Sequence, residues 1–166
     1  MILKIPTGAL ILGLSGVLPF AWGAVTLLSE EAFNFGIENF GARFVGPLIQ
    51  LSYGVIILCF MSGVLWGFAT KMDEKNGSLG YILSVLPALW AFLSMGRGPI
   101  SDTMSLIVGF LAVLLIDRHF YLLKLTPLWW MNLRTPLTFL VISLFCLLYT
   151  SPSPRDVEES RMPSSA

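Results

Sequence analysis

The sequence predicts an all-α fold: a polytopic membrane helical bundle of five transmembrane helices, N-terminus cytoplasmic and C-terminus outside. Three observations predict it. The 166 residues are 55% hydrophobic and only 12% charged, whereas a soluble domain carries about a quarter charged residues. A chain of this length buries only about 70% of its unfolded surface on folding, so the apolar surplus needs lipid as its solvent. Finally, five apolar runs recur, each near the ~20 residues that cross roughly 30 Å of hydrocarbon at about 1.5 Å per residue.

The first run covers Thr7–Leu28. Lys4 ahead of an apolar stretch has the outline of a signal peptide. The run, however, exceeds a signal core of roughly 7–15 residues, and no small-x-small cleavage site follows it, so a retained helix is expected. Pro19 removes a backbone donor within the span and predicts a kink. After this run, Ser29 followed by Glu30 and Glu31 reads as a helix start, with acids at the positive end of the dipole. Phe33, Ile37, Phe40 and Phe44 recur at helical spacing and predict a short amphipathic segment on the membrane surface, weakened by Gly36 and Gly41.

The second run, 44–69, contains no charged residue. In lipid each backbone group must bond within its own segment, so a helix is required. A β-barrel would need alternating segments of about ten residues, and this pattern is continuous. The third run, 80–95, is short and contains Pro87. In the hairpin Gly96-Arg97-Gly98-Pro99, Arg97 and Asp102 are expected as turn residues or as a mutual ion pair. The fourth run, 102–116, extends toward residue 123. Phe120, Tyr121, Trp129 and Trp130 around Lys124 and Pro127 form an expected interfacial belt. The fifth run is 133–150.

The membrane domain is therefore placed at residues 1–145. Residues 146–166 turn abruptly to Ser, Pro and charge and are expected to be a disordered tail that has the look of translated adaptor sequence. Cys59 and Cys146 sit inside apolar runs without metal-ligand spacing and are expected as small buried apolar residues.

Orientation follows from the loops. With five crossings, Lys4, Lys71, Lys75, Arg118, Lys124 and Arg134 share one side, and only Arg43 and Arg97 lie opposite before Arg155 and Arg161 of the tail. The positive-inside rule puts the richer side in the cytoplasm. The formal net charge is zero, which leaves no basic field for nucleic acid.

An ordered set of short sequence pieces carries a family resemblance. Ile5-Pro6, Gly13, Gly16 and Pro19-Phe20 mark the first run; Tyr53-Gly54 and Gly63-Val64-Leu65-Trp66-Gly67 mark the second. Ser84-Val85-Leu86-Pro87, Asp117, Pro127-Leu128-Trp129-Trp130 and Leu133-Arg134-Thr135-Pro136-Leu137-Thr138 follow. In this order the set resembles the domain-of-unknown-function family 3429, over roughly residues 3 to 145. The resemblance marks Tyr53, Gly54, Trp66, Pro87, Asp117, Trp129 and Arg134 as family-motif positions. It implies a multi-pass inner-membrane protein, mitochondrial in eukaryotic members, and brings no activity with it. Leu65 stands where the family commonly has a histidine, so a proton or metal role for that histidine would not carry over.

Two faces of small residues predict close helix contact in lipid: Ala9, Gly13 and Gly16 on the first helix, and Cys59, Gly63 and Gly67 on the second. Gln50, Ser52 and Tyr53 form a candidate polar pocket or an interhelical hydrogen bond. Asp117, Arg118 and His119 are expected at the water boundary, with Asp117 pairing Arg134 or Lys124. A proton relay through them is the weaker reading. The sequence offers no charge at a predicted midplane, no phosphate loop, no metal cluster and no nucleophile beside a histidine. No catalytic, cofactor-binding or metal residue is therefore assigned, and no cofactor is expected. The function expected is a non-enzymatic scaffold or assembly support; the alternative is a small carrier or channel for an uncharged or lipid-like solute. Expected partners are membrane lipids and other inner-membrane proteins, with no nucleic acid. The expected location is the bacterial inner membrane, or the mitochondrial inner membrane in a eukaryote.

Overall fold

A computed structural model describes residues 4–72 and 74–150. Among them the chain forms seven α-helices and one 3-10 turn, with no strand. Five stretches are long and apolar enough to cross a membrane: Thr7–Leu28, Gly46–Ala69, Gly77–Ser94, Pro99–Leu122 and Trp130–Leu148. These are the five expected spans.

The first span is two helices, α1 (Thr7–Ser15) and α2 (Leu18–Leu28). The break falls where Pro19 dictates it. The proline ring displaces the carbonyl of Ser15 four residues back, and Val17 N–H instead bonds the nearer Leu14 carbonyl at 3.0 Å. The amphipathic segment is α3 (Glu30–Phe40), capped by the Ser29 hydroxyl, which accepts from Ala32 N–H. Its Gly36 is buried against Val45 and Trp22, so a glycine that lowers helix propensity here provides a close approach.

Helix α4 (Gly46–Ala69) is the hub and touches α2, α5 (Glu74–Ser94) and α6 (Pro99–Leu122); α7 (Trp130–Thr150) lies against α6, α2 and α1. The buried residues of α4 are Gly46, Gln50, Gly54, Leu58, Met61, Leu65 and Ala69, a stripe at spacings of three and four, with Ser62 beside Met61. The expected Cys59–Gly63–Gly67 face is corrected by this stripe. Gly63 lies about 200° round the helix from Met61 at 100° per residue. A Cβ on Gly63 or Gly67 would meet nothing within 4 Å, and Cys59 is exposed. In lipid both faces of a helix are apolar, so small-residue spacing does not reveal which one turns inward. Cys146 is likewise exposed, so neither cysteine is the buried residue expected.

Other local features follow from the structure. Asp102 makes no ion pair with Arg97. Its carboxylate accepts from Gly96 N–H at 3.1 Å and Arg97 N–H at 3.0 Å, pinning a turn whose Gly96 and Gly98 hold φ values of +92° and +113°. Pro87 is tolerated inside α5 because Ala88 N–H, beside the disrupted ladder, donates to Ser62 Oγ of α4 at 2.9 Å. Helix α7 ends at Thr150, the bound given above for the fifth run. The rest of the expected tail, residues 151–166, lies outside the described residues.

Candidate functional site

The features with chemical content converge at the end of the bundle where α6 finishes and α7 begins. Asp117 is fully buried and Arg134 is 8% exposed. Arg134 Nε donates to Asp117 Oδ2 at 2.9 Å, and Trp130 Nε1 donates to Asp117 Oδ1 at 2.8 Å. Both carboxylate oxygens are thus occupied, and the guanidinium lies 6.0 Å from the Trp130 ring. The expectation that Asp117, Arg118 and His119 share the water boundary is corrected. Arg118 and His119 are exposed while Asp117 turns inward. Consecutive helical residues lie about 100° apart, so the three side chains diverge, and the geometry for a relay through Asp117 and His119 is absent. The alternative pairing with Arg134 is the one formed.

The α7 residues Trp130, Arg134, Thr138 and Val141 follow one another at spacings of four, four and three. They therefore share one face and form the wall of a cavity of 540 Å³. Opposite stand Ala9, Gly13, Gly16 and Val17 of the first span and Tyr53, Ile57, Met61 and Val64 of α4. Gly13 leaves room for Leu137 and Leu133 of α7, the former 3.0 Å from where a Cβ would stand. The small-residue face of α1 is thus in helix contact, against α7. Phe68 and Trp130, in edge-on contact with centroids 5.1 Å apart, both line the cavity. Phe20 and Phe110 also line it, and both rings pack on Phe145, at 5.3 and 6.0 Å. The cavity follows α7 from Trp130 to Val141, about 16 Å at 1.5 Å per residue.

Two polar atoms at this wall have no hydrogen-bond partner among the described residues: Arg134 Nη2 and Thr138 Oγ1. Both residues line the cavity, and both are more than nine-tenths buried. Most buried polar atoms in native proteins are satisfied, so each exception needs an explanation.

The other candidates separate. Gln50 is fully buried, and its Nε2 donates to the Phe20 carbonyl at 2.7 Å. That is an interhelical bond rather than a pocket shared with Tyr53, whose side chain faces the cavity instead. Ser52 is half-buried. Gly54 receives Leu106 and Phe145, and Trp66 is exposed and meets the Tyr81 ring at a tilt, with centroids 4.6 Å apart. Trp129 lines the cavity and Pro87 is buried in α5. An open groove of 680 Å³ lies between α2 and α3, walled by residues such as Trp22, Phe35, Phe40 and Phe44. It has no charged wall. Sequence reasoning named Thr138 only as the end of the piece from Leu133 and gave it no role of its own. Its spacing of four from Arg134, inside an apolar span, was the available signal.

Comparison with known proteins agrees with this architecture. The chain is 32% identical over 146 residues to Transmembrane protein 69 of Xenopus tropicalis, covering 86% of this chain and 53% of the relative. It therefore spans about half the length of that curated relative. No solved structure matches. The homologue and the five apolar spans make this an integral, multi-pass membrane protein. A family model described as "Protein of unknown function (DUF3429)" matches residues 5–150, and the chain belongs to that family.

Proposed function

We propose that this chain is a non-enzymatic membrane protein that holds an uncharged, lipid-like molecule between α1, α4 and α7. The observation that carries this reading is the 540 Å³ cavity. Its volume falls within the ~300–1,000 Å³ of small-molecule sites, and its walls are mostly apolar with a few placed polar groups. Its length of about 16 Å along α7 is near half of the roughly 30 Å hydrocarbon thickness, the depth of one leaflet. Quantitative lipid extraction of the chain purified in mild detergent tests it. A tightly retained amphiphile is expected near one per chain, and Ile57→Trp, which fills the cavity, is expected to remove most of it. Equal retention by the filled variant would refute the reading.

The support role has its own observation. Gly63 and Gly67 offer an outward face with open space beside them, and small residues allow close helix approach in lipid. A second membrane protein fits that face.

The inner membrane, bacterial or mitochondrial, is the proposed location, with the N-terminus on the cytoplasmic or matrix side. The loop charges support this orientation. Arg134 leaves that count, since Asp117 neutralises it inside α7, but Lys4, Lys71, Lys75, Arg118 and Lys124 still outnumber Arg43 and Arg97. A cysteine placed at Lys71 is expected to react with a membrane-impermeant maleimide only after permeabilisation. Labelling in intact cells or mitoplasts would reverse the orientation.

A further inference from the structure

We infer that the cavity fills sideways from the bilayer, through a mouth between α1 and α4, so that its ligand is a molecule dissolved in lipid rather than one delivered from water. This inference rests on the lipid-like reading above and adds the source of the molecule and its route of entry.

The rim locates the mouth. A side chain that lines a cavity and is also mostly exposed stands at its edge. Two lining residues are of this kind: Leu12 of α1, 73% exposed, and Phe60 of α4, 64% exposed. The other lining residues are buried or half-buried. Packing agrees. Helix α1 lies on α7, whereas α4 lies on α2, α5 and α6, so the two helices that carry the rim are held by different neighbours. Helix α7 is the floor between them, and its lining residues Leu133, Thr138 and Val141 are buried. The gap narrows at Gly16, where an added Cβ would stand 3.7 Å from Tyr53 Oη.

Depth decides what the mouth meets. Leu12 lies five residues past the start of the first span at Thr7, and Phe60 nine residues before the end of α4 at Ala69. Those offsets are about 7.5 and 13.5 Å along the helices at 1.5 Å per residue. At such depth the surrounding medium is hydrocarbon. Toward the α6–α7 turn the cavity is lined by Phe68, Trp129 and Trp130, none of them exposed. The α1 side of the mouth is also lightly held. Helix α1 contains no buried residue, whereas α2 buries Phe20, Gly23, Ala24 and Thr26, and the break at Pro19 separates the two. Elements with few buried contacts open at low cost.

Spin-label spectroscopy tests the route. The full chain is placed in phosphatidylcholine vesicles with a nitroxide-labelled fatty-acid ester, a neutral chain probe. Probe held in the cavity is the immobilised part of the signal that Ile57→Trp removes. Oxygen, which concentrates in hydrocarbon, is expected to relax that part more strongly than a water-soluble nickel chelate does. Phe60→Ala cuts back an exposed rim side chain and is expected to speed exchange between held and free probe about fivefold, by lowering the barrier to entry and release. Trp129→Ala, toward the α6–α7 turn, is expected to change the rate less. If nickel relaxes the held probe more than oxygen does, the sideways route fails and the lipid-like reading survives. The same holds if Phe60→Ala leaves exchange unchanged, or if Trp129→Ala speeds it as much. If Ile57→Trp removes no immobilised signal, the reading itself falls and the route goes with it.

Discussion

Replacing Asp117 with alanine is expected to destabilise the bundle by about 3–5 kcal/mol, the cost of removing one partner from a buried ion pair. Asp117 is wholly buried, and its oxygens are held by Arg134 at 2.9 Å and Trp130 at 2.8 Å. Without it the Arg134 guanidinium, which cannot deprotonate, faces apolar side chains with no counter-charge, and the Trp130 indole loses its acceptor. Arg134 lies near the end of its span, so its long side chain can reach toward headgroups. That relief places the loss nearer ~3 than ~5 kcal/mol. The Asp117→Leu, Arg134→Leu double variant removes both charges and is expected to recover most of the loss, because a buried pair replaced by apolar residues is often neutral or stabilising. Unfolding in mild detergent of the unsubstituted chain, Asp117→Leu, Arg134→Leu and the double variant, read as a double-mutant cycle, measures the coupling. Independent, additive losses would show that the pair does not act as a unit.

Five spans, the amphipathic α3 with its Ser29 cap and the kink at Pro19 were all legible in the sequence, because each is a local property. Apolar length sets the spans, a hydroxyl sets the cap, and a missing N–H sets the break. The Asp117–Arg134 contact was one of two pairings the residues allowed. What the sequence did not reveal is which face of each helix turns inward. In water, the polar face of an amphipathic helix answers that question. In lipid, Gly63 and Gly54 look equally suited to an interface, and only the arrangement of neighbouring helices separates them. The cavity was hidden for the same reason. It exists because α1 leans on α7 through Gly13 while Tyr53, Ile57 and Val64 of α4 stand across the gap, and no single segment encodes that offset. Its two unpartnered donors sit in a span that reads as plainly apolar.

Gly54→Leu and Gly63→Leu are expected to behave in opposite ways, although both place the same side chain on α4. At Gly54 a Cβ alone would come within 2.9 Å of Leu106 Cδ1 and 3.0 Å of Phe145 Cζ. Both neighbours are fully buried, so neither can swing away without disturbing the aromatic cluster of Phe20, Phe110 and Phe145. Overpacking of this kind costs about 1–3 kcal/mol for small insertions and more for a whole side chain, so Gly54→Leu is expected to lose about 3 kcal/mol or to fail to accumulate. At Gly63 nothing lies within 4 Å, the added side chain meets lipid, and the change is expected to stay within about 0.5 kcal/mol. A slight gain is reasonable there, since glycine in a helix interior costs up to ~1 kcal/mol relative to better helix formers. Thermal unfolding in detergent, with expression level as a second readout, distinguishes them. The Gly63 variant also tests the support role. If a partner helix docks on the open face, Gly63→Leu folds normally but loses that partner in a mild-detergent pull-down, whereas unchanged recovery leaves the face to lipid alone. Were Gly63→Leu instead to unfold the isolated chain, the inward face of α4 would have to be reassigned, and with it the wall of the cavity.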